Sequence, residues 1–249
     1  MLTNLKRETL SDQIAARLMQ HIVNENLQPG DVLPSEHKLA DLFGVSRPVV
    51  REALRSLSAQ GIVMVVSGKG AIVQPVDDQL LQIFFKRMLH TGQSSVIDLM
   101  AVRKQLECYG AVLAAKKRLP EEAVELQNTI EGMKKALQSK NLDSYAELDV
   151  TFHMQIATAT HNEPLSFLIQ SIRIALKQIV MQGLQQWATQ EQLNRVQEVH
   201  ENIFTSIHNQ NRDEAEKWMT IHFDEAIANL VQDDESNKSG DANTMLPTT

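Results

Sequence analysis

The chain has 249 residues, 43% of them hydrophobic and only 4% aromatic, with a formal net charge of −7. That length suits two domains, and an apolar load carried by Leu, Ile, Val, Ala and Met favours helices over a β-sandwich. No run of about 18 uncharged apolar residues is present to span a bilayer.

The opening MLTNLKRETLSDQ reaches acidic and polar residues too soon for a signal-peptide apolar region. The single cysteine, Cys108, has no internal disulfide partner. A soluble, reduced, cytoplasmic protein without a membrane partner is therefore expected. Charge is unevenly placed. Of the 24 Lys/Arg and 31 Asp/Glu, residues 1–75 hold eight and seven, leaving sixteen and twenty-four for the remainder. A mildly basic head on an acidic body suits a module that touches phosphate and a body that does not.

Residues 9–24 place Leu10, Ile14, Leu18 and Ile22 at the spacing of an amphipathic helix. Pro29-Gly30-Asp31 marks a turn. Ser35 stands at the N-cap position of a short second helix carrying Leu39, Ala40, Leu42 and Phe43, which Gly44 terminates. Ser46 caps a third helix whose apolar face is Val49, Val50, Ala53, Leu54 and Leu57; Pro48 is tolerated in its first turn. Two short helices joined by a Gly-containing turn are a helix-turn-helix. Arg47, Arg51 and Arg55 recur every four residues and line one flank of the third helix, and arginine forks match guanine edges and phosphates in a major groove. The alternative is a solvated charged face. After Gly61, IVMVV and AIV read as two short strands joined by SGKG, a β-wing whose glycines allow close backbone approach and whose Lys69 supplies charge.

The segment LPSEHKLADLFGVSRPVVREALRSLSAQGIV, with GKG after it, closely resembles the DNA-binding domain of the GntR family. The resemblance implies DNA contacts at Ser46, Arg47, Pro48 and Arg51 and at the wing residues Gly68, Lys69 and Gly70. One departure is His37, which stands where many members carry Arg directly after the Ser-Glu of the second helix; it alters one expected contact and bears on operator preference.

Residues 76–92 read as a connecting helix. Helical segments follow at about 95–118, 120–138, 142–159, 164–186, 190–209 and 212–231, with Pro120, Asn141, Pro164 and Asn211 marking starts and Asn211 with Glu214 fitting a capping box. The fold class expected is mainly α: a winged helix-turn-helix over 1–75, a linker helix over 76–94, an all-α bundle over 95–231 and a disordered polar tail over 232–249.

Within the bundle, Asp149 and His153 lie four apart on one helix, and His200 and His222 each sit among apolar neighbours on separate helices. Asp/His sets bind first-row divalent metals. Spacing alone leaves this open, because a histidine among apolar residues is more often a satisfied core residue. The order RKQLE, DVTFHMQIATATHNEP, His200 and His222 resembles the ligand-binding FCD domain of the FadR subfamily of GntR regulators. That resemblance implies that Asp149, His153, His200 and His222 hold a divalent metal, Zn first with Ni or Mn as alternatives, at the base of a cavity for a small organic acid. Arg103, four residues before Glu107, is a candidate carboxylate anchor or an Arg–Glu surface pair; Asn162 is a candidate ligand contact or a loop cap. The expected function is a ligand-responsive repressor that binds palindromic operator DNA as a homodimer and senses a small carboxylate. A metal-dependent hydrolase or lyase fused to a DNA-binding head, or a regulator sensing the metal itself, are the alternatives.

Overall fold

The computed structural model describes residues 8–91, 95–186 and 189–242. Helix α1 (Leu10–Asn24) begins at a capping box: the Thr9 side chain accepts from the Asp12 amide and the Asp12 carboxylate accepts from the Thr9 amide. It buries Ile14, Ala15, Leu18 and Ile22. Leu10, expected on the same stripe, is 57% exposed, because it precedes the first turn that reaches the core. In α2 (Glu36–Phe43), Ser35 accepts from the Lys38 amide. Gly44 ends it in the left-handed region at φ +66, where any other L-residue would be strained. Helix α3 (Arg47–Ala59) carries Pro48 in its first turn and buries Val50, Ala53, Leu54 and Leu57.

Strands β1 (Val63–Val66) and β2 (Gly70–Val73) pair antiparallel, with Val63 opposite Val73 and Val66 opposite Gly70. Gly68 and Gly70 both hold positive φ at the tip. Val63, Ala71 and Val73 face the same core as α1–α3. This first unit is a winged helix-turn-helix.

The chain divides into two units, Met1–Leu80 and Leu81–Thr249, a division inside α4 (Gln79–His90). In the second unit, α5 (Val96–Lys117), α6 (Pro120–Gln138), α7 (Leu142–Thr158), α8 (Glu163–Gln186), α9 (Gln190–His208) and α10 (Arg212–Ala242) form an all-α bundle. Their starts are local decisions: Ser95 with Asp98 and Thr189 with Gln192 form capping boxes, Pro120 opens α6, and Asn141 accepts from the Ser144 amide. Asn211 accepts from the Glu214 amide at the start of α10. Helix α10 lies against α5 and α9, α7 against α6 and α8, and α5 also meets α7, α8 and α9. Leu126, Met133, Phe152, Ile203, Ile207, Met219 and Phe223 are fully buried among them. Cys108 is also buried, with Sγ 3.4 Å from Thr220 Oγ1.

The helical backbone of α10 continues to Ala242, past the boundary at 231 beyond which a disordered tail was expected. No proline stands between Gln232 and Ala242 to break the backbone hydrogen bonds of a helix already nucleated on a packed stem. Residues 243–249 lie outside the described residues. Among the described residues no helix is long and apolar enough to cross a membrane.

Candidate functional site

The 3.6-residue period of α7 sets Asp149 and His153 on one face, and both are buried in the bundle. Helix α9 brings His200 to them with no exposure at all, and α10 brings His222, which is half-buried. A ligand atom from each of His153, His200 and His222 lies within 4.8 Å of the others. The imidazole rings stand 4.7–5.4 Å apart, centre to centre. Asp149 Oδ1 is 3.2 Å from His200 Nε2 and 3.9 Å from His153 Nε2. All four residues expected to form a metal set therefore converge.

Two carboxylate–guanidinium pairs, Glu107 with Arg103 and Asp149 with Arg173, hold this set from behind. His153 Nδ1–H donates to Glu107 Oε2 at 2.5 Å. That bond fixes the tautomer and leaves the Nε2 lone pair turned away from Glu107, the arrangement in which a carboxylate orients a metal-binding imidazole. Glu107 Oε1 in turn accepts from Arg103 Nε at 2.8 Å. On the other side, Arg173 Nη2 donates to Asp149 Oδ2 at 2.5 Å and to the Asp149 carbonyl at 3.1 Å, leaving Oδ1 toward the histidines.

His153 Nε2 and both ring nitrogens of His200 are buried without an aligned hydrogen-bond partner. Buried polar atoms are normally satisfied, so His153 Nε2 and one ring nitrogen of His200, both without an aligned partner beside His222, fit a shared ion. The protonation states fit as well. Burial alone would raise the Glu107 and Asp149 carboxyls, but the neighbouring guanidiniums and the hydrogen bonds from the rings outweigh it. Arg103, His153 and Arg173 hold Glu107 well below the carboxylate range; Arg173 and the histidines do the same for Asp149. Burial, reinforced by the charge of Arg173, pushes His153 down to about 4. His222 is also lowered well below its ordinary value, by burial and then by His200 and His153. Anionic carboxylates and neutral imidazoles are the forms that ligate. Three nitrogens and one carboxylate oxygen suit Zn, Ni or Mn better than a hard all-oxygen ion such as Ca.

Arg103 is no surface residue: it is 3% exposed, paired with Glu107, and lies over the Phe223 ring at 5.1 Å. Asn162 behaves as a cap; its Oδ1 accepts from the Leu165 amide at the start of α8. Sequence reasoning missed Arg173 and the orienting role of Glu107. The signal for Arg173 was a lone cation inside the apolar run FLIQSIRIAL.

In the first unit, Ser46, Arg47, Pro48, Arg51 and Arg55 are exposed along the start and flank of α3, and Ser46 makes no side-chain capping bond. Arg51 pairs with Glu36 of α2 at 2.8 Å. His37 is exposed, its Nδ1 3.0 Å from Asp41 Oδ2 one turn along α2. Gly68 and Lys69 are exposed at the wing tip, with Gly70 half-buried beside them.

A winged helix-turn-helix with an exposed arginine row, followed by an all-α domain with a polar interior, defines a DNA-binding transcriptional regulator. Residues 10–73 match the bacterial regulatory proteins of the gntR family and residues 98–225 match the FCD domain. The chain belongs to the GntR family, carries an effector-binding FCD domain, and is a regulator rather than an enzyme. It is 32% identical over 203 residues to the HTH-type transcriptional regulator LutR of Bacillus subtilis (strain 168), covering 81% of this chain and 92% of that protein. It is 29% identical over 170 residues to the Glc operon transcriptional activator of Escherichia coli (strain K12), covering 67% of each. The solved structure of Streptococcus agalactiae GntR superposes with a TM-score of 0.71 at 25% identity, covering 88% of this chain and 99% of that one.

Proposed function

We propose that the chain is a cytoplasmic, homodimeric repressor that binds a palindromic operator and senses a small organic acid at a divalent-metal site, with Zn the first candidate. The observation that carries this is the convergence of Asp149, His153, His200 and His222 with orphaned nitrogens between them. Charge supports the ligand class. Arg103 and Arg173 are matched by Glu107 and Asp149, so the buried network is neutral before any metal is added. A divalent cation there leaves two positive charges, and burial makes an unmatched charge costly. A small carboxylate would neutralise it. When bound, the ion supplies a Lewis-acid anchor for a carboxylate or hydroxyl oxygen. Asp149, His153, His200 and His222 would hold it, while Arg103 and Arg173 orient the two carboxylates and favour an anion nearby. Asn162 is the remaining candidate contact, at the α8 cap.

Regulation requires that the acid bind one arrangement of the DNA-binding heads better than another. The paired heads would then read half-sites about one helical turn apart, with Ser46, Arg47, Pro48, Arg51 and His37 in the major groove and Gly68, Lys69 and Gly70 at the backbone or minor groove. The test is operator affinity across a panel of small carboxylates, with and without Zn. One acid is expected to raise the melting temperature only with metal present and to shift operator affinity by roughly 5–150-fold. An acid that binds tightly yet leaves DNA affinity unchanged contradicts the sensor reading.

A further inference from the structure

Glu36 is the first residue of α2, half-buried, and its carboxylate faces the arginine row of α3. Arg51 Nε lies 3.2 Å from both Glu36 oxygens and Nη2 lies 2.8 Å from Oε2. The carboxylate thus takes the side edge of the guanidinium. Of the five guanidinium N–H groups it engages those on Nε and the inner side of Nη2. Both Nη1 hydrogens and the outer Nη2 hydrogen remain, and the outer hydrogens of Nη1 and Nη2 form the terminal fork that fits guanine O6 and N7. Arg47 and Arg55 lie close enough for their charges to act on Glu36 as well.

A half-exposed ion pair of this kind adds little to folding, and a carboxylate among DNA-facing arginines repels phosphate, which leaves the orientation of Arg51 as the effect the geometry offers. An arginine on a bare helix face can swing to whichever phosphate is nearest; one clamped by its side edge can only present its end. We propose that Glu36 is a specificity-determining residue, holding Arg51 with its terminal fork outward for a guanine edge at the expense of non-specific phosphate attraction. His37, next in sequence, takes no part in the clamp, because it pairs with Asp41 along α2.

The experiment uses the full chain and duplexes enriched from a random-sequence pool by the wild-type protein. Affinities for the enriched duplex and for a scrambled duplex of equal composition are measured by fluorescence anisotropy. Glu36→Gln is expected to bind the scrambled duplex as well as or better than wild type, and the enriched duplex roughly tenfold more weakly. Pools enriched by Glu36→Gln should lose guanine preference at one position per half-site. Arg51→Lys, which keeps the charge but lacks the fork, should lose it at the same position; Glu36→Asp, whose shorter carboxylate cannot reach both Nε and Nη2, should lose it likewise and serves if Glu36→Gln fails to fold. Unchanged preference in any of these variants overturns the proposal. So does an equal rise in both affinities, which makes Glu36 a repulsive bystander, or losses at different positions. A wild-type protein that enriches no sequence would overturn it together with sequence reading by α3.

Discussion

Glu107 contributes to the candidate centre without belonging to the expected ligand set. Its two oxygens face different partners: Oε1 the Arg103 guanidinium, Oε2 the His153 Nδ1–H. Removing its charge should leave the four ligands in place but loosen the ring they depend on. Glu107→Gln is therefore expected to weaken divalent-metal binding by about 10–100-fold, the usual cost of losing an orienting carboxylate; competition against a chromophoric chelator measures it, and unchanged affinity contradicts the role. At this scale the sequence was partly legible. Asp149 and His153 announce themselves by a four-residue interval, but the pairing of Asp149 with Arg173 joins residues 24 apart on different helices, and no local pattern encodes such a meeting. Arg103 shows the opposite difficulty. The Arg103–Glu107 spacing is plain in the sequence, while its burial is a property of α10, which lays Phe223 beneath the guanidinium.

Elements were read more reliably than their contacts because their ends are set by local chemistry. Pro120, Asn141, Pro164 and Asn211 each coincide with a helix start or its first residues, since a cap or an N-terminal proline acts on the amides of its own first turn. Leu10 and the end of α10 were misread for a related reason: a periodic stripe does not say which of its ends reaches the core, and polarity alone does not stop a helix that packing has started. For α3 the consequence is functional. Val50, Ala53, Leu54 and Leu57 anchor the helix, so Arg47 at its exposed start is free of any packing duty. Arg47→Ala should preserve the melting temperature and lower specific operator affinity by about 1–3 kcal/mol. Equal affinity by gel shift would make Arg47 a surface residue only.

At the scale of the whole molecule, the two units separate two kinds of electrostatics. Among the described residues the first keeps its arginines in solvent; the second buries two arginines, two carboxylates and two imidazoles in a helical core, with His222 half-buried beside them. That burial couples stability to pH in a definite direction. His153 stays neutral down to about 4, against an ordinary 6.5 in the unfolded chain, and His222 shifts the same way. Between those values the unfolded chain binds more protons than the folded one, so stability is lost as pH falls through that window. Glu107 and Asp149 add to the loss from the acid end of that window downward, since their folded values are depressed below the ordinary 4.5 and 3.8 at which the unfolded carboxyls take up protons. Chelator-treated protein should accordingly melt at a lower temperature near pH 5 than near neutrality, with a flatter dependence in His153→Gln; a melting temperature that holds or rises on acidification contradicts the buried neutral imidazole.

The reading of the bundle turns on whether Asp149, His153, His200 and His222 hold an ion. Elemental analysis of protein purified without chelator measures this most directly. About one divalent ion per chain is expected in the wild type, lost on gel filtration from His200→Ala and His222→Ala proteins that remain folded. A wild-type protein that carries no metal and takes up neither Zn, Ni nor Mn when they are added would make the four residues ordinary polar packing in a helical core.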